Sequence, residues 1–181
     1  MRRYLLVGFP ALGVAGVVFF IALAVPWLLR HQPYMSPEQP IAFSHRIHVQ
    51  QAGLDCAFCH RTAADSSTAG YPDVEQCMFC HQVVGPGEAG PTNRAGQQEI
   101  QKVREAWIEQ RPVEWVRVHR MPDHTHFVHD AHIRAGVSCA VCHGNVGSMT
   151  QAVKVRPLNM SDCVNCHQQT GAPTDCATCH F

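Results

Sequence analysis

The stretch Cys56-Ala57-Phe58-Cys59-His60 decides the fold of this chain, because its Cys-x-x-Cys-His pattern occurs five times. The five segments, numbered here one to five in chain order, use all ten cysteines of the 181 residues. The later copies keep the same spacing: Cys77-Met78-Phe79-Cys80-His81, Cys139-Ala140-Val141-Cys142-His143, Cys163-Val164-Asn165-Cys166-His167 and Cys176-Ala177-Thr178-Cys179-His180. A pattern that uses every cysteine indicates one kind of site, built five times.

The Cys-x-x-Cys-His motif is the attachment sequence of haem c. Its two thiols add to the vinyl groups of the haem, and the adjacent imidazole ligates the iron from one side. Zinc knuckles are the alternative, but they would leave one motif unpaired and give no reason for a His after every second Cys. Disulfides over so short a gap are a poor cross-linking scheme. The motifs predict five covalently bound haems c, held by Cys56, Cys59, Cys77, Cys80, Cys139, Cys142, Cys163, Cys166, Cys176 and Cys179, with proximal iron ligands His60, His81, His143, His167 and His180.

The N-terminus carries a long apolar run. After Met1-Arg2-Arg3, the residues from Tyr4 to Leu29 carry no charge. A bilayer core needs about 20 apolar residues as a helix, so the run predicts a transmembrane helix within 1–30, with its start in the cytoplasm by the positive-inside bias. Ala22-Leu23-Ala24 resembles a signal-peptide cleavage site, but the apolar part of a signal is normally about 7–15 residues long. We expect a retained anchor in the inner membrane, with the haem domain on the periplasmic side.

The remaining chain is short for its cofactors, at about 28 residues per haem, which is too little to build an ordinary hydrophobic core. The haems are therefore expected to form the core. Lys and Arg total 14, as do Asp and Glu, and no basic patch indicates nucleic acid. The predicted fold class is a multihaem cytochrome c, with one N-terminal transmembrane helix and a haem-packed domain of short helices and loops with little sheet.

The chain repeats itself ahead of two of the motifs. Phe43-Ser-His45-Arg-Ile-His48 precedes motif one and Phe127-Val-His129-Asp-Ala-His132 precedes motif three, and a glycine follows each. The spacing from the second His to that glycine differs by one residue. Such an internal duplication indicates two related modules. The predicted organisation is a cytoplasmic start and transmembrane helix at 1–30, a Pro-rich spacer at 31–40, a dihaem module at 41–84, a linker at 85–118 and a trihaem module at 119–181.

The linker combines a loop with an amphipathic helix. Residues 85–93 form a Gly- and Pro-rich loop by composition. A helix is predicted from about Arg94 to Gln110, ended by Pro112, and its apolar face is expected to pack on the haem domain. The residues of that face are Ile100, Val103, Trp107 and Ile108. Residues 113–118 suggest a short strand.

Second iron ligands are sought among the eight other histidines. A low-spin electron-transfer haem needs a second strong ligand, usually His or Met. Histidines three apart share one helix face, so His45 with His48 and His129 with His132 are predicted as distal ligands of two haems in each module. One iron is left, for which His119 and Met160 are the candidates. His31 is expected on the juxtamembrane surface, and His124 and His126 are interpreted as propionate partners or surface groups.

The Phe-x-His-x-x-His…Cys-x-x-Cys-His pattern resembles the small multihaem cytochromes of the c3 and c7 type. Trp115-Val-Arg-Val-His-Arg-Met-Pro-Asp123 and Pro157-Leu-Asn-Met-Ser-Asp-Cys163 narrow the resemblance to the pentahaem c-type cytochrome subunits of alternative complex III. That family implies three partners in one membrane complex: an iron–sulfur subunit, an integral quinol-binding membrane subunit, and a monohaem cytochrome. His126 departs from the family, which usually has an aromatic residue nearby.

The resemblance implies an electron-transfer subunit that is not itself an enzyme. Its five haems would carry electrons from a quinol-oxidising membrane complex to a periplasmic cytochrome or another acceptor. The alternative is a membrane-anchored multihaem quinol dehydrogenase that feeds a periplasmic reductase, but many of those carry a Met shortly after motif one, where Arg61-Thr62 stands here. A catalytic multihaem reductase is a third interpretation, against which the surplus of distal ligands argues.

Overall fold

A computed structural model describes residues 5–30, 36–85 and 93–181. The chain divides into two units, Met1–Tyr34 and Met35–Phe181. The predictions for His31, for half of the spacer and for most of the 85–93 loop lie outside the described residues. The helices are α1 (Leu5–Arg30), the π-helix π1 (Ile47–Gln51), α2 (Cys56–Cys59), a 3₁₀ turn (Arg61–Ala64), α3 (Val74–His81), α4 (Arg94–Ile108), α5 (His129–Arg134), α6 (Cys139–His143), a second 3₁₀ turn (Val146–Ser148), α7 (Met160–Thr170) and α8 (Cys176–Cys179).

Helix α1 forms the first unit and runs for 26 residues. Its described large apolar side chains, from Val14 to Trp27, are exposed. Among the residues whose side chains the structure describes, however, no helix is long and apolar enough to cross a membrane. The helix predicted at the N-terminus is thus present, but the transmembrane span assigned to it is not supported.

The second unit is helical, as the sequence predicts, and its described residues contain no β-strand. The strand suggested at 113–118 is wrong. Val116 pairs with a side chain rather than with another strand: the Gln39 amide donates to the Val116 carbonyl at 2.8 Å and accepts from its N–H at 3.0 Å. The two hydrogen bonds satisfy the backbone groups that a ladder would have satisfied.

Helix α4 provides most of the protein-only core. Asn93 caps its first turn by accepting from the Gly96 N–H at 2.7 Å, which is the usual role of Asn at this position. Val103 and Ala106 are buried, and Val103 packs with Ile41 and Met78. Of the predicted apolar face, Val103 is correct, but Ile108 is 75% exposed and Trp107 is also exposed. The contact with α3 buries residues 103 and 106, which are one turn apart on the helix.

This core is small, since only four apolar side chains of the described residues are buried: Ile41, Met78, Val103 and Ala106. Met78 lies between the two cysteines of motif two, so α4 packs directly on that motif. The Arg104 guanidinium reinforces the contact by donating from Nε to the His81 carbonyl at 3.0 Å. The rest of the second unit is a series of short helices that present the five motifs.

Candidate haem sites

Each Cys-x-x-Cys motif lies on a helical turn. Cysteines three apart on a helix share one face, so each pair can present both thiols to one group. Polar side chains cap several of these helices, as where Asp55 accepts from the Ala57 N–H at 2.8 Å and Asn159 accepts from the Asp162 N–H at 3.0 Å. All ten thiols are free and at least partly exposed. The described residues contain no group of three or more His, Cys, Asp or Glu side chains placed to hold a bare metal ion.

The imidazoles of the second unit occur in facing pairs. Two imidazoles bound to one iron from opposite sides have ring centroids about 6 Å apart, because each metal–nitrogen bond is about 2 Å long. Four pairs have this separation: His48 with His81 at 6.1 Å, His129 with His143 at 6.4 Å, His132 with His167 at 6.0 Å and His124 with His180 at 5.6 Å. Each pair joins the His of one Cys-x-x-Cys-His motif to a His outside the motifs.

The His of motif one has its own neighbour. Burial and then the nearby His60 and His48 lower the pKa of His45. His48 already faces His81, so His45 is the imidazole left for His60. A further imidazole thus pairs with four motif histidines at this separation, and His45 lies near the fifth, His60.

Seven of these ten imidazoles are held by backbone carbonyls. The carbonyl can only accept, so Nδ1 must carry the hydrogen, and Nε2 keeps the lone pair that a metal needs. The bonds run from Nδ1 of His48 to Ser44 at 2.9 Å, His60 to Gly70 at 2.8 Å, His81 to Val84 at 2.8 Å, His129 to Ser67 at 2.9 Å, His132 to Val128 at 2.8 Å, His167 to Pro173 at 2.5 Å and His180 to His124 at 2.7 Å. These bonds fix the ring orientation and the tautomer that suit iron ligation.

A phenylalanine braces the histidine pair in each repeat. The Phe43 ring stacks on His48 at 4.2 Å and meets His45 edge-on at 4.9 Å. Phe127 makes the equivalent contacts, at 4.6 Å with His132 and 4.8 Å edge-on with His129. The Phe of the sequence repeat therefore sets the directions of both imidazoles that follow it.

The two candidates for the fifth distal ligand are placed elsewhere. His119 lies edge-on against His143 at 4.5 Å, and His143 already faces His129. The Nε2 atom of His119 is buried and has no hydrogen-bond partner. Met160 begins α7 and is 70% exposed. Neither side chain faces His180. The histidines of the two repeats lie beside the other four motif histidines, so His180 is the one that they leave without a partner.

The sequence interpretation missed His124. It faces His180 with the two ring planes only 20° apart, and its own carbonyl accepts from His180 Nδ1. The neighbouring His126 stacks instead on Phe181, at 4.4 Å, and its N–H donates to the Cys179 carbonyl at 2.8 Å. The only sequence signal for His124 was that it is one of the histidines left after the two repeats had supplied four candidate ligands.

These observations fit haem c. The thiols are free and paired on helical turns, and the facing imidazoles are separated as two axial ligands of one iron would be. The environment of His143 is apolar enough that burial, followed by His119, His129 and His60, lowers its pKa to about 4. A neutral imidazole is the form that ligates a metal.

Comparison with known proteins finds similarity to cytochromes c with several haems. The model of the Class III cytochrome C family matches residues 28–113, a little under half of the chain, which includes motifs one and two. The menaquinone reductase multiheme cytochrome c subunit of Nitratidesulfovibrio vulgaris is 28% identical over 193 residues. That alignment covers 90% of this chain and 88% of the relative. The chain is thus helical and similar to the class III cytochromes c over residues 28–113, and to a multiheme cytochrome c subunit over most of its length.

Proposed function

We propose that this chain is the electron-transfer subunit of a quinone-linked membrane complex and holds five haems c, each between two imidazoles. The observation that carries the proposal is the placement of an additional imidazole at the separation of two axial ligands from four motif histidines, with His45 near the fifth. Haem irons with two such ligands exchange single electrons without binding a substrate. With both axial positions taken by protein, no position is left open for catalysis.

The proposed ligand pairs are His45 with His60, His48 with His81, His129 with His143, His132 with His167, and His124 with His180. The backbone carbonyls on Nδ1 raise the basicity of the ligating Nε2, as hydrogen-bond acceptors behind a metal ligand do. Met160 and His119 are then not ligands. His119 packs beside His143 and contributes to its apolar surroundings.

The proposed complex follows from the relative and from the resemblance in the sequence. The relative is named as a subunit of a menaquinone reductase, and the alignment extends over most of both chains. We therefore assign this chain to a menaquinone-linked complex, in which it exchanges electrons with an iron–sulfur subunit beside an integral quinone-binding subunit. On this assignment a reduced periplasmic cytochrome supplies electrons that end on menaquinone.

A second candidate is the pentahaem subunit of alternative complex III, which the segments 115–123 and 157–163 favour. The direction of electron flow is then opposite, from quinol to a cytochrome or oxidase. Membranes containing the complex distinguish the two. Haem reduction by added menaquinol, sensitive to an inhibitor of the quinol site, supports the second candidate. Reoxidation of prereduced haem by added menaquinone, without reduction by menaquinol, supports the first.

The proposed location is the outer face of the cytoplasmic membrane, with the haem domain in the periplasm. Arg2 and Arg3 at the start and the exposed apolar side chains of α1 support attachment at the membrane. The test is protease treatment of spheroplasts. Cleavage of the haem domain from outside is expected, and its protection until the cells are lysed would refute the location.

The haem set is tested on the purified chain. A pyridine haemochrome assay is expected to give five haems per chain, and low-temperature EPR to show only low-spin signals. His124→Ala should convert one haem to a high-spin form, because the iron of motif five loses its distal ligand. Met160→Ala is the matched control and should leave every signal unchanged. Loss of a thioether charge-transfer band on Met160→Ala, with no effect of His124→Ala, would overturn the assignment.

A further inference from the structure

The order of the motifs along the chain differs from their order in space. Four sets of contacts join the attachment turns of the motifs in pairs. The inference drawn from these contacts rests on the five-haem set proposed above, which is tested separately.

Motifs two and one are neighbours. The Gln76 amide, one residue before motif two, donates to the Phe58 carbonyl inside motif one. The Arg61 guanidinium, which follows motif one, lies over the Phe79 ring of motif two at 5.8 Å. Burial and then the nearby Cys59 raise the pKa of Cys77. Side chains from both motifs therefore meet at this junction.

Motifs one and three are neighbours although 83 positions separate them in the numbering of Cys56 and Cys139. Helix α5, which leads into motif three, packs on the 3₁₀ turn that follows motif one. The N–H of His129 and its Nδ1 both reach the Ser67 carbonyl, at 3.2 and 2.9 Å. Burial and then the nearby Cys139 raise the pKa of Cys56. The two repeats therefore meet with their first motifs against each other.

Motifs three and four are joined by Arg156. Its guanidinium donates from Nη1 to the Val141 carbonyl inside motif three at 2.8 Å. The same group pairs with Asp162, one residue before motif four, with Nη2 and Oδ1 2.5 Å apart. One side chain thus ties both attachment turns together.

Motifs four and five are joined by a short connection. The Gly171 backbone is left-handed, with φ of 71°, and ends α7 by turning the chain back toward its own last turn. The Ala172 N–H and the Pro173 carbonyl both bond His167 of motif four, through its carbonyl at 2.8 Å and its Nδ1 at 2.5 Å. Burial, then Asp162 and then Cys179 raise the pKa of Cys163. Motif five therefore lies next to motif four.

From these contacts we infer that the five haem sites form one unbranched series in the order two, one, three, four, five. The two repeats meet in the middle, at motifs one and three. Motif two is one end and motif five is the other. The residues beside the two ends are exposed: Val83 is 77% exposed and Phe181 is 76% exposed. Each end therefore presents a surface at which a redox partner of the proposed complex can approach.

Dipolar EPR on the full holoprotein tests the order without an activity assay. A spin label is placed at position 83 or at position 181 through an unnatural amino acid, which leaves the ten cysteines untouched. One distal ligand at a time is changed to Met, in H48M, H45M, H129M, H132M and H124M. A Met ligand raises the potential of that haem. Mild reduction then makes only that iron diamagnetic and removes its distance from the spectrum.

The expected result is a fixed order of label-to-site distances. From position 83 the lost distance should lengthen through H48M, H45M, H129M, H132M and H124M, and from position 181 the order should reverse. A variant that loses its haem also loses that spin, so it reports the same site. The series would be overturned if the distances followed the order of the motifs along the chain. It would also be overturned if site two lay nearer to site three than site one does. Fewer than five haems per chain would instead refute the proposed function.

Discussion

The two repeats of this chain build the same ligand arrangement with different helices. In the first, His48 lies on π1; in the second, His132 lies on α5. Both second histidines bond the carbonyl four residues earlier, at 2.9 Å in His48 and 2.8 Å in His132. The π-helix contains the residue by which the repeats differ, since its wider turn, closed by the Ala52 N–H on the Ile47 carbonyl at 3.0 Å, accommodates one more residue. The extra residue is accommodated while both second histidines keep the same backbone contact.

The repeats differ in how their first histidines are held. The Nδ1 of His129 bonds Ser67, which belongs to the other repeat. The Nδ1 of His45 is buried without a hydrogen-bond partner. The second repeat is therefore anchored to the first through a ligand, whereas His45 depends on packing against Phe43.

The largest effect is expected from removing a first histidine. His45→Ala and His129→Ala should each convert one haem from low-spin to high-spin, because one iron loses an axial nitrogen. EPR of the oxidised protein counts the high-spin signals, and His126→Ala serves as control because His126 faces no motif histidine. A high-spin signal in the control, or none in the two variants, contradicts the pairing.

Deletion of one residue is expected to affect π1 and α5 differently. Deleting Gln51 should shorten π1 to an ordinary helical turn and keep five haems, at a cost of about 1 kcal/mol in the free energy of unfolding. Deleting Ala135 should reduce the haem count to four, because α5 has no extra residue to release before Gly136. Pyridine haemochrome assays and thermal unfolding measure the two results. Equal haem loss in both deletions would show that the π-turn is required and is not an absorbed insertion.

The bracing rings give a smaller, graded effect. Phe127→Leu should lower the free energy of unfolding by about 1 kcal/mol through the lost ring contacts with His129 and His132. Phe43→Leu should cost about 2 kcal/mol, because Phe43 also meets Trp115 edge-on at 6.3 Å. Denaturant unfolding measures both values. A larger loss of unfolding free energy for Phe127→Leu than for Phe43→Leu would contradict this prediction.

A similarly small effect is expected at the glycines that end the repeats. Gly53 and Gly136 have φ of 70° and 77°, and an added Cβ would meet open space at both. Gly53→Ala and Gly136→Ala should therefore each cost only the backbone strain, about 1 kcal/mol. Thermal unfolding should shift equally in the two variants. Unequal shifts would mean that one glycine makes room for a haem edge.

Much of the helical arrangement could be predicted, because it depends on local patterns. The helix at 94–108 follows from its Asn93 cap and apolar spacing, and the helical multihaem class follows from the five motifs. The failures have a common cause. The buried face of α4 depends on what packs against it, and Val116 avoids a strand because Gln39, distant in sequence, supplies its hydrogen bonds.

His124 shows the same limit within the site. Its spacing resembles no repeat, and the two rings come together through a hydrogen bond from His180 Nδ1 to the His124 carbonyl, 56 positions away. From the sequence alone His119 and Met160 were the preferred candidates, and Met160 lies three residues before Cys163. Distance along the chain does not reveal which imidazole faces which motif histidine across a gap that a haem would occupy.

The sequence alone determined the number of attachment motifs, the five motif histidines, the two repeats and the helical class of this protein. These depend on spacings within a helical turn, where the chain geometry leaves little freedom. The tertiary structure decided which imidazoles face one another, which residues of α4 are buried, and that motif one lies against motif three. These depend on contacts between segments far apart in the chain, which local spacing does not determine.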